Sequence, residues 1–203
     1  MPILQLHQYR VAAAAKQVCE SLDISVDTQS IVAACLLHDM GNIIKFQLNY
    51  FPEANEPEGI EYWQKIQEEY FAKYGTDEHH ATLEILKELN VSSYVYDLVY
   101  NIDSVRVEDI ASGDDFGKKI CIYFDNRVTP HGIVTVDERT REAKERYKTH
   151  PHAFDEEKRA LFVKNIFDIE NHIFSHSSIK PEDITDESVK DIIEELKSFS
   201  LAI

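Results

Sequence analysis

Residues 31–45 read IVAACLLHDMGNIIK, an apolar run at helical spacing that reaches an adjacent His38-Asp39 pair and breaks at Gly41. Such a run predicts a core helix. Two metal-binding side chains at its end are costly to bury, because each needs a buried partner or a shared cation to offset the loss of water. Whether other segments bring further ligands to the same place decides both the architecture and the chemistry.

On the N-terminal side, a first helix is expected over 4–22, with Leu4, His7, Val11, Ala14 or Ala15, and Val18 on one face. His7 therefore points the way the apolar residues point. Asp27 or Thr28 caps the second helix, whose inner face carries Ile31, Ala34, Cys35 and His38. After Gly41, a loose stretch at 47–59 with Pro52 and Pro57 predicts a surface loop or lid. A helix over 60–74 holds Tyr62, Trp63, Tyr70, Phe71 and Tyr74, read as core packing with surface acids rather than a base-stacking platform. Gly75 ends it, and Thr76 or Asp77 caps a helix to about Leu89.

Further helices are expected over 91–99 and 118–128, joined by a polar connector at 101–117 with helical fragments. A turn at 130–132 precedes a charged helix at 136–147 bearing Arg139, Arg141, Lys144 and Arg146, which Pro151 breaks. Two amphipathic helices, 154–174 and 183–199, pack on the same core or form a homodimer surface. Strand signal is nearly absent, 132–136 being the nearest. The expectation is all-α: a helical domain at 1–149, with a C-terminal extension at 150–203 adding two helices to it.

Against 21 Lys and Arg stand 37 Asp and Glu, a formal charge of −16 that repels phosphate backbones and argues against a nucleic-acid polymer as partner. No apolar run spans a bilayer, and the N-terminus lacks the order of a signal peptide, so the expected location is cytoplasmic with no membrane partner. Cys19, Cys35 and Cys121 read as reduced core thiols, and without a CxxC pair a thiolate zinc site is set aside.

Helical phase brings five polar residues inward. They are His7, His38 with Asp39 beside it, His79 (in phase with Leu83 and Leu86, whereas His80 falls on the polar face), and Asp125 in ICIYFDNRV. Each alone has a plain reading as a hydrogen-bonded core residue, and Asp125 as a partner for Arg127 or Arg10. Phase alone leaves the metal site and the buried polar cluster equally open. The His172 and His176 pair at i, i+4 reads as surface histidines.

The order H-x-x-R-V at His7, LLHDMG at His38-Asp39, an acid-His segment at 77–79 and a late Asp125 resembles the HD superfamily of metal-dependent phosphohydrolases. The run YFDNRVTPHGIVTVDERTREAKERY is similar to the segment that carries the last metal Asp in small stand-alone HD proteins. The resemblance implies an HD-domain-like helical bundle with His7, His38, Asp39 and Asp125 around a divalent cation, with Mn, Fe, Ni, Co, Zn and Mg all open. It implies phosphoester hydrolysis of a small phosphorylated substrate, a nucleotide, by metal-activated water. Asp39, His79 and Lys45 are the catalytic candidates. Arg10 and Arg127, together with Lys45, are phosphate-binding candidates by their proximity to the motifs, each with an ordinary ion pair as its plain alternative.

Departures limit what carries over. Asn42 and Ile43 follow where nucleotidase and tetraphosphate-hydrolysing subgroups have acids, and the GYP motif of cyclic-dinucleotide members is absent. Asn101 and Asp103 stand where two-metal members offer another His, so a single metal is expected. The rival reading is a catalytically silent HD module in which a structural metal supports binding of a protein or regulatory ligand.

Overall fold

The computed structural model describes residues 1–49, 52–146 and 154–200. Helices α1 (Pro2–Cys19), α2 (Thr28–Leu37), α3 (Ile60–Tyr74), α4 (Glu78–Glu88) and α5 (Ser93–Tyr100) come first. Then follow α6 (Val107–Ser112), α7 (Phe116–Asp125), α8 (Val136–Arg146), α9 (Glu156–Phe174) and α10 (Lys190–Leu196). Between α7 and α8 lies an antiparallel hairpin of β1 (Val128–Thr129) and β2 (Gly132–Ile133), which pairs Val128 with Ile133 and Thr129 with Gly132. The bundle is all-α as expected, with α9 and α10 as extra C-terminal helices. No helix among the described residues is long and apolar enough to cross a membrane. The expected boundary at 149/150 and Pro151 lie outside the described residues.

Three helices make the centre. In α1 the run Ala12, Ala13, Ala14 and Ala15 is fully buried, and these small side chains let α2 lie close. Ile31, Val32, Ala33, Ala34 and Cys35 of α2 are buried in succession, as are Ile120, Cys121, Ile122, Tyr123 and Phe124 of α7. A helix apolar around its whole circumference must sit inside a bundle. All three cysteines are free and buried, and Cys35 and Cys121 bring their Sγ atoms to 3.8 Å where α2 meets α7.

The starts follow the aspartates. Asp27 accepts from the Ser30 N–H at 3.0 Å, Asp77 from the His80 N–H at 2.6 Å and Asp115 from the Lys118 N–H at 3.1 Å, each satisfying an orphan donor of the first turn.

The extension shares this core. Ile166, Ile169 and Ile173 of α9, with Ile184, Val189 and Leu196 near α10, belong to the same buried cluster as α1, α2 and α7. Polar ties fasten it. Asp186 pairs with Arg10 Nε at 2.7 Å and accepts from the Ile133 N–H at 3.0 Å, joining the C-terminal segment to both α1 and the hairpin.

Three expectations change. No residue of α3 is buried. Its aromatics pair with one another at the surface (Tyr62 with Trp63, Tyr70 with Tyr74), because Glu61, Lys65, Glu68, Glu69 and Lys73 interrupt any apolar stripe wide enough to enter the core. The helix expected over 183–199 is a 3-10 turn (Pro181–Asp183), an extended Ile184 and then the short α10. Thr185 and Ser188 exchange side-chain to backbone hydrogen bonds of 2.9 and 3.2 Å there, which compete with helix formation. The helix expected over 118–128 ends at Asp125, and Val128 enters the hairpin instead.

Gly41 is required by close approach. A Cβ there would meet the Glu78 carbonyl at 2.3 Å and the Thr82 nitrogen at 2.8 Å. Its own N–H donates to Thr82 Oγ1 at 2.9 Å, docking the turn after α2 onto α4. Gly41→Ala should therefore destabilise the protein by about 1–3 kcal/mol, the usual cost of overpacking, read as a lower urea midpoint with an unchanged m-value.

Candidate metal centre

The C-terminal ends of α2 and α7 and the second turn of α1 bring four side chains together. His7 sits one turn before the buried Val11 of α1, His38 is the residue at which α2 stops, Asp39 follows it in the turn, and Asp125 is the last residue of α7. His7 Nε2 lies 3.5 Å from Asp39 Oδ2 and 3.3 Å from Asp125 Oδ1. His38 Nε2 lies 3.6 Å and 3.3 Å from the same two oxygens. One ligand atom from each of His7, His38 and Asp39 falls within 4.8 Å of the others.

The hydrogen bonding sets the direction of His38. Its Nδ1 is 2.7 Å from the Cys35 carbonyl oxygen, which can only accept, so Nδ1 carries the hydrogen. Nε2 then faces the carboxylates, buried, with Asp125 Oδ1 at 3.3 Å and no directed hydrogen-bond partner among the described residues. In the neutral ring this opposes a lone pair to carboxylate oxygens, an arrangement that needs either a proton or a cation between them. Ligands bonded at about 2.0–2.2 Å to one ion stand roughly 3.0–3.6 Å apart, so the spacings of both imidazoles from Asp39 suit a first-row divalent ion, while Asp125, at 3.3 Å from each imidazole, lies outside the mutually close group of three.

In the metal-free protein a proton does this work. Burial alone would lower the His38 pKa, but the charge of Asp39 and the contact with Asp125 overcome it and raise it from 6.5 to about 10. Burial would likewise raise Asp125, and the contacts with His38 and His7 instead hold it well below the ordinary 3.8.

A cavity of about 380 Å³ opens beside the cluster. His38, Asp39 and Asp125 form one part of its wall, and Lys45, His79 and Arg139 another. Five carboxylates line it (Asp39, Asp77, Glu78, Asp103 and Asp125) against one lysine and one arginine. That imbalance favours a bound cation. His79 has a buried Nε2 with no hydrogen-bond partner among the described residues, whereas His80 is exposed. Lys45 pairs with Glu78 at 3.1 Å.

Arg10 and Arg127 are placed elsewhere. Arg10 pairs with Asp186 and reaches the Pro130 carbonyl at 3.4 Å. Arg127 is buried and spends its donors on the Val134 carbonyl, the Tyr123 hydroxyl and the Pro181 carbonyl, with Glu170 at 3.7 Å. Neither is among the described residues lining the cavity. Their nearness to the motifs in sequence is taken up by fastening the hairpin and the C-terminal segment. Arg139, Asn126 and Phe162 line the cavity without having been singled out for it. For Arg139 the available signal was its i, i+3 spacing from Val136, the one buried residue of α8.

Residues 5–103 match the HD domain family. No curated protein and no solved structure matches the chain.

The two shifted groups predict how the chelator-treated protein responds to pH. The Asp125 contribution to stability is present above the unfolded value of 3.8 and is lost as pH falls toward its depressed folded value. The His38 contribution is complete below 6.5 and is lost as pH rises through about 10. Urea denaturation should therefore show stability declining from pH 6.5 to pH 10. Saturating divalent cation, which replaces the proton on Nε2, should remove most of that decline.

Proposed function

Residues 5–103 make the chain a member of the HD-domain superfamily, and on that premise we propose that it is a metal-dependent phosphohydrolase acting on a small phosphorylated metabolite, a nucleotide. Family membership and the His7, His38 and Asp39 cluster support a metal-dependent hydrolase activity in general. The observation that carries the finer reading is the convergence of two imidazole Nε2 atoms on the carboxylates of Asp39 and Asp125 at the wall of a small polar cavity. A cavity of about 380 Å³ suits a small molecule rather than a polymer. The formal charge of −16 points the same way.

His7, His38, Asp39 and Asp125 would hold the cation. When bound, it supplies Lewis-acid chemistry, making water more acidic and offsetting charge on a phosphoryl oxygen. The remaining steps fall to side chains. Asp39 lines the cavity and accepts the proton released as water attacks phosphorus. His79 Nε2, buried beside the same space and without a partner, donates a proton to the leaving oxygen as the P–O bond breaks. Lys45, facing Glu78 at the exposed side of the cavity, contributes positive charge toward the incoming phosphate.

The test is a screen of nucleotides and phosphate esters with Mn, Mg, Co and Ni added, paired with metal analysis of the purified protein. Metal-dependent turnover should appear. Asp39→Ala and His38→Ala should each lower kcat/KM by more than the roughly hundredfold lost when a ligand's supporting partner is removed. Full metal occupancy with no turnover of any substrate would instead identify a catalytically silent HD module.

A further inference from the structure

We propose that Arg139 grips the anionic group of the substrate, an assignment that rests on the phosphohydrolase reading above. Arg139 is the arginine among the described residues lining the cavity, on the first turns of α8 and one turn beyond the buried Val136. Its side chain is only 14% exposed. Nη1 donates to Glu142 Oε2 at 2.9 Å, and Glu142 is itself held by Arg146 Nε at 2.9 Å. This fixes the guanidinium from one end. The lateral edge, Nε with its neighbour Nη2, has no acceptor among the described residues, and Nε is buried.

A buried guanidinium N–H without an acceptor is costly, and cost of this kind clusters where a ligand completes the hydrogen bonding. The lateral edge of arginine presents two parallel N–H groups at the spacing of two oxygens on phosphate or carboxylate. Arg10 and Arg127 are occupied by Asp186, Glu170 and main-chain carbonyls, and Arg106 stacks on the Tyr100 ring at 4.0 Å from its centroid. In a wall dominated by carboxylates, an anionic substrate needs a fixed cation besides the metal. Arg139 is in place to be one.

The test uses the full chain loaded with Mn and inorganic phosphate as the probe, titrated calorimetrically. Wild-type protein should bind phosphate, and Arg139→Gln should weaken that binding by about tenfold or more while metal content and Tm stay unchanged. Arg139→Lys, which keeps the charge and loses the fork, should fall between them. Glu142→Gln breaks the same ion pair but leaves the guanidinium, so it should weaken phosphate binding by clearly less than Arg139→Gln does, whereas a role confined to the ion pair would make the two variants alike. An Arg139→Gln protein that binds phosphate as wild type does overturns the proposal and leaves the phosphohydrolase reading standing. A metal-loaded wild type that neither binds phosphate nor turns over any phosphate ester overturns both. Should Arg139→Gln fail to fold, Arg139→Lys decides: a several-fold weaker Kd with intact metal binding supports the role, and an unchanged Kd overturns it.

Discussion

The hydrogen bond between His38 Nδ1 and the Cys35 carbonyl decides what the rest of the site must be. The last carbonyls of a helix lack partners within it, and the imidazole satisfies one of those belonging to α2. The same contact fixes the tautomer, so the only ring atom left for chemistry is Nε2, aimed at Asp39 and Asp125. Fold and ligand set therefore share a bond. The helix could not end as it does with an apolar residue at position 38 without leaving that carbonyl unpaired.

Around this contact the C-terminal ends of α2 and α7 meet the inner face of α1. Ala12 to Ala15 bring α1 against α2, and the buried run of α7 fills the remaining side. The polar residues lie where each apolar run stops. Away from the centre, Arg127 is a second fixed point: buried between the hairpin, α7 and the segment before α10, it ties Tyr123, Glu170 and two carbonyls together. Removing one member of such a network strands the others in a low-dielectric interior, so it fastens the extension in addition to the shared apolar core.

Helical period was enough to read α1, α2, α4 and α7 and to place His7, His38, His79 and Asp125 on their inner sides, because those helices carry an apolar face and, in α2, α4 and α7, an aspartate cap that marks the start. It failed where local chemistry outweighs period. In α3 the aromatics suggested burial, yet the interspersed charges kept every residue at least partly exposed. Thr185 and Ser188 replaced a helical turn with reciprocal side-chain bonds. The arginines were the least legible. Arg10 and Arg127 stand near the motifs in sequence but serve distant partners, and Arg139, 36 residues beyond the end of the matched segment, comes to the cavity after the hairpin that reverses the chain.

The burial of α7 has a consequence for how this chain is divided in thought. The match to the family model ends at residue 103, yet Asp125 and the innermost run Ile120 to Phe124 lie beyond it. A recognisable signature and a self-sufficient folding unit are therefore different lengths of the same polypeptide. Residues 5–103 carry three of the four converging side chains but not the helix that closes their interior, so the matched segment taken alone would hold most of the candidate site without its container.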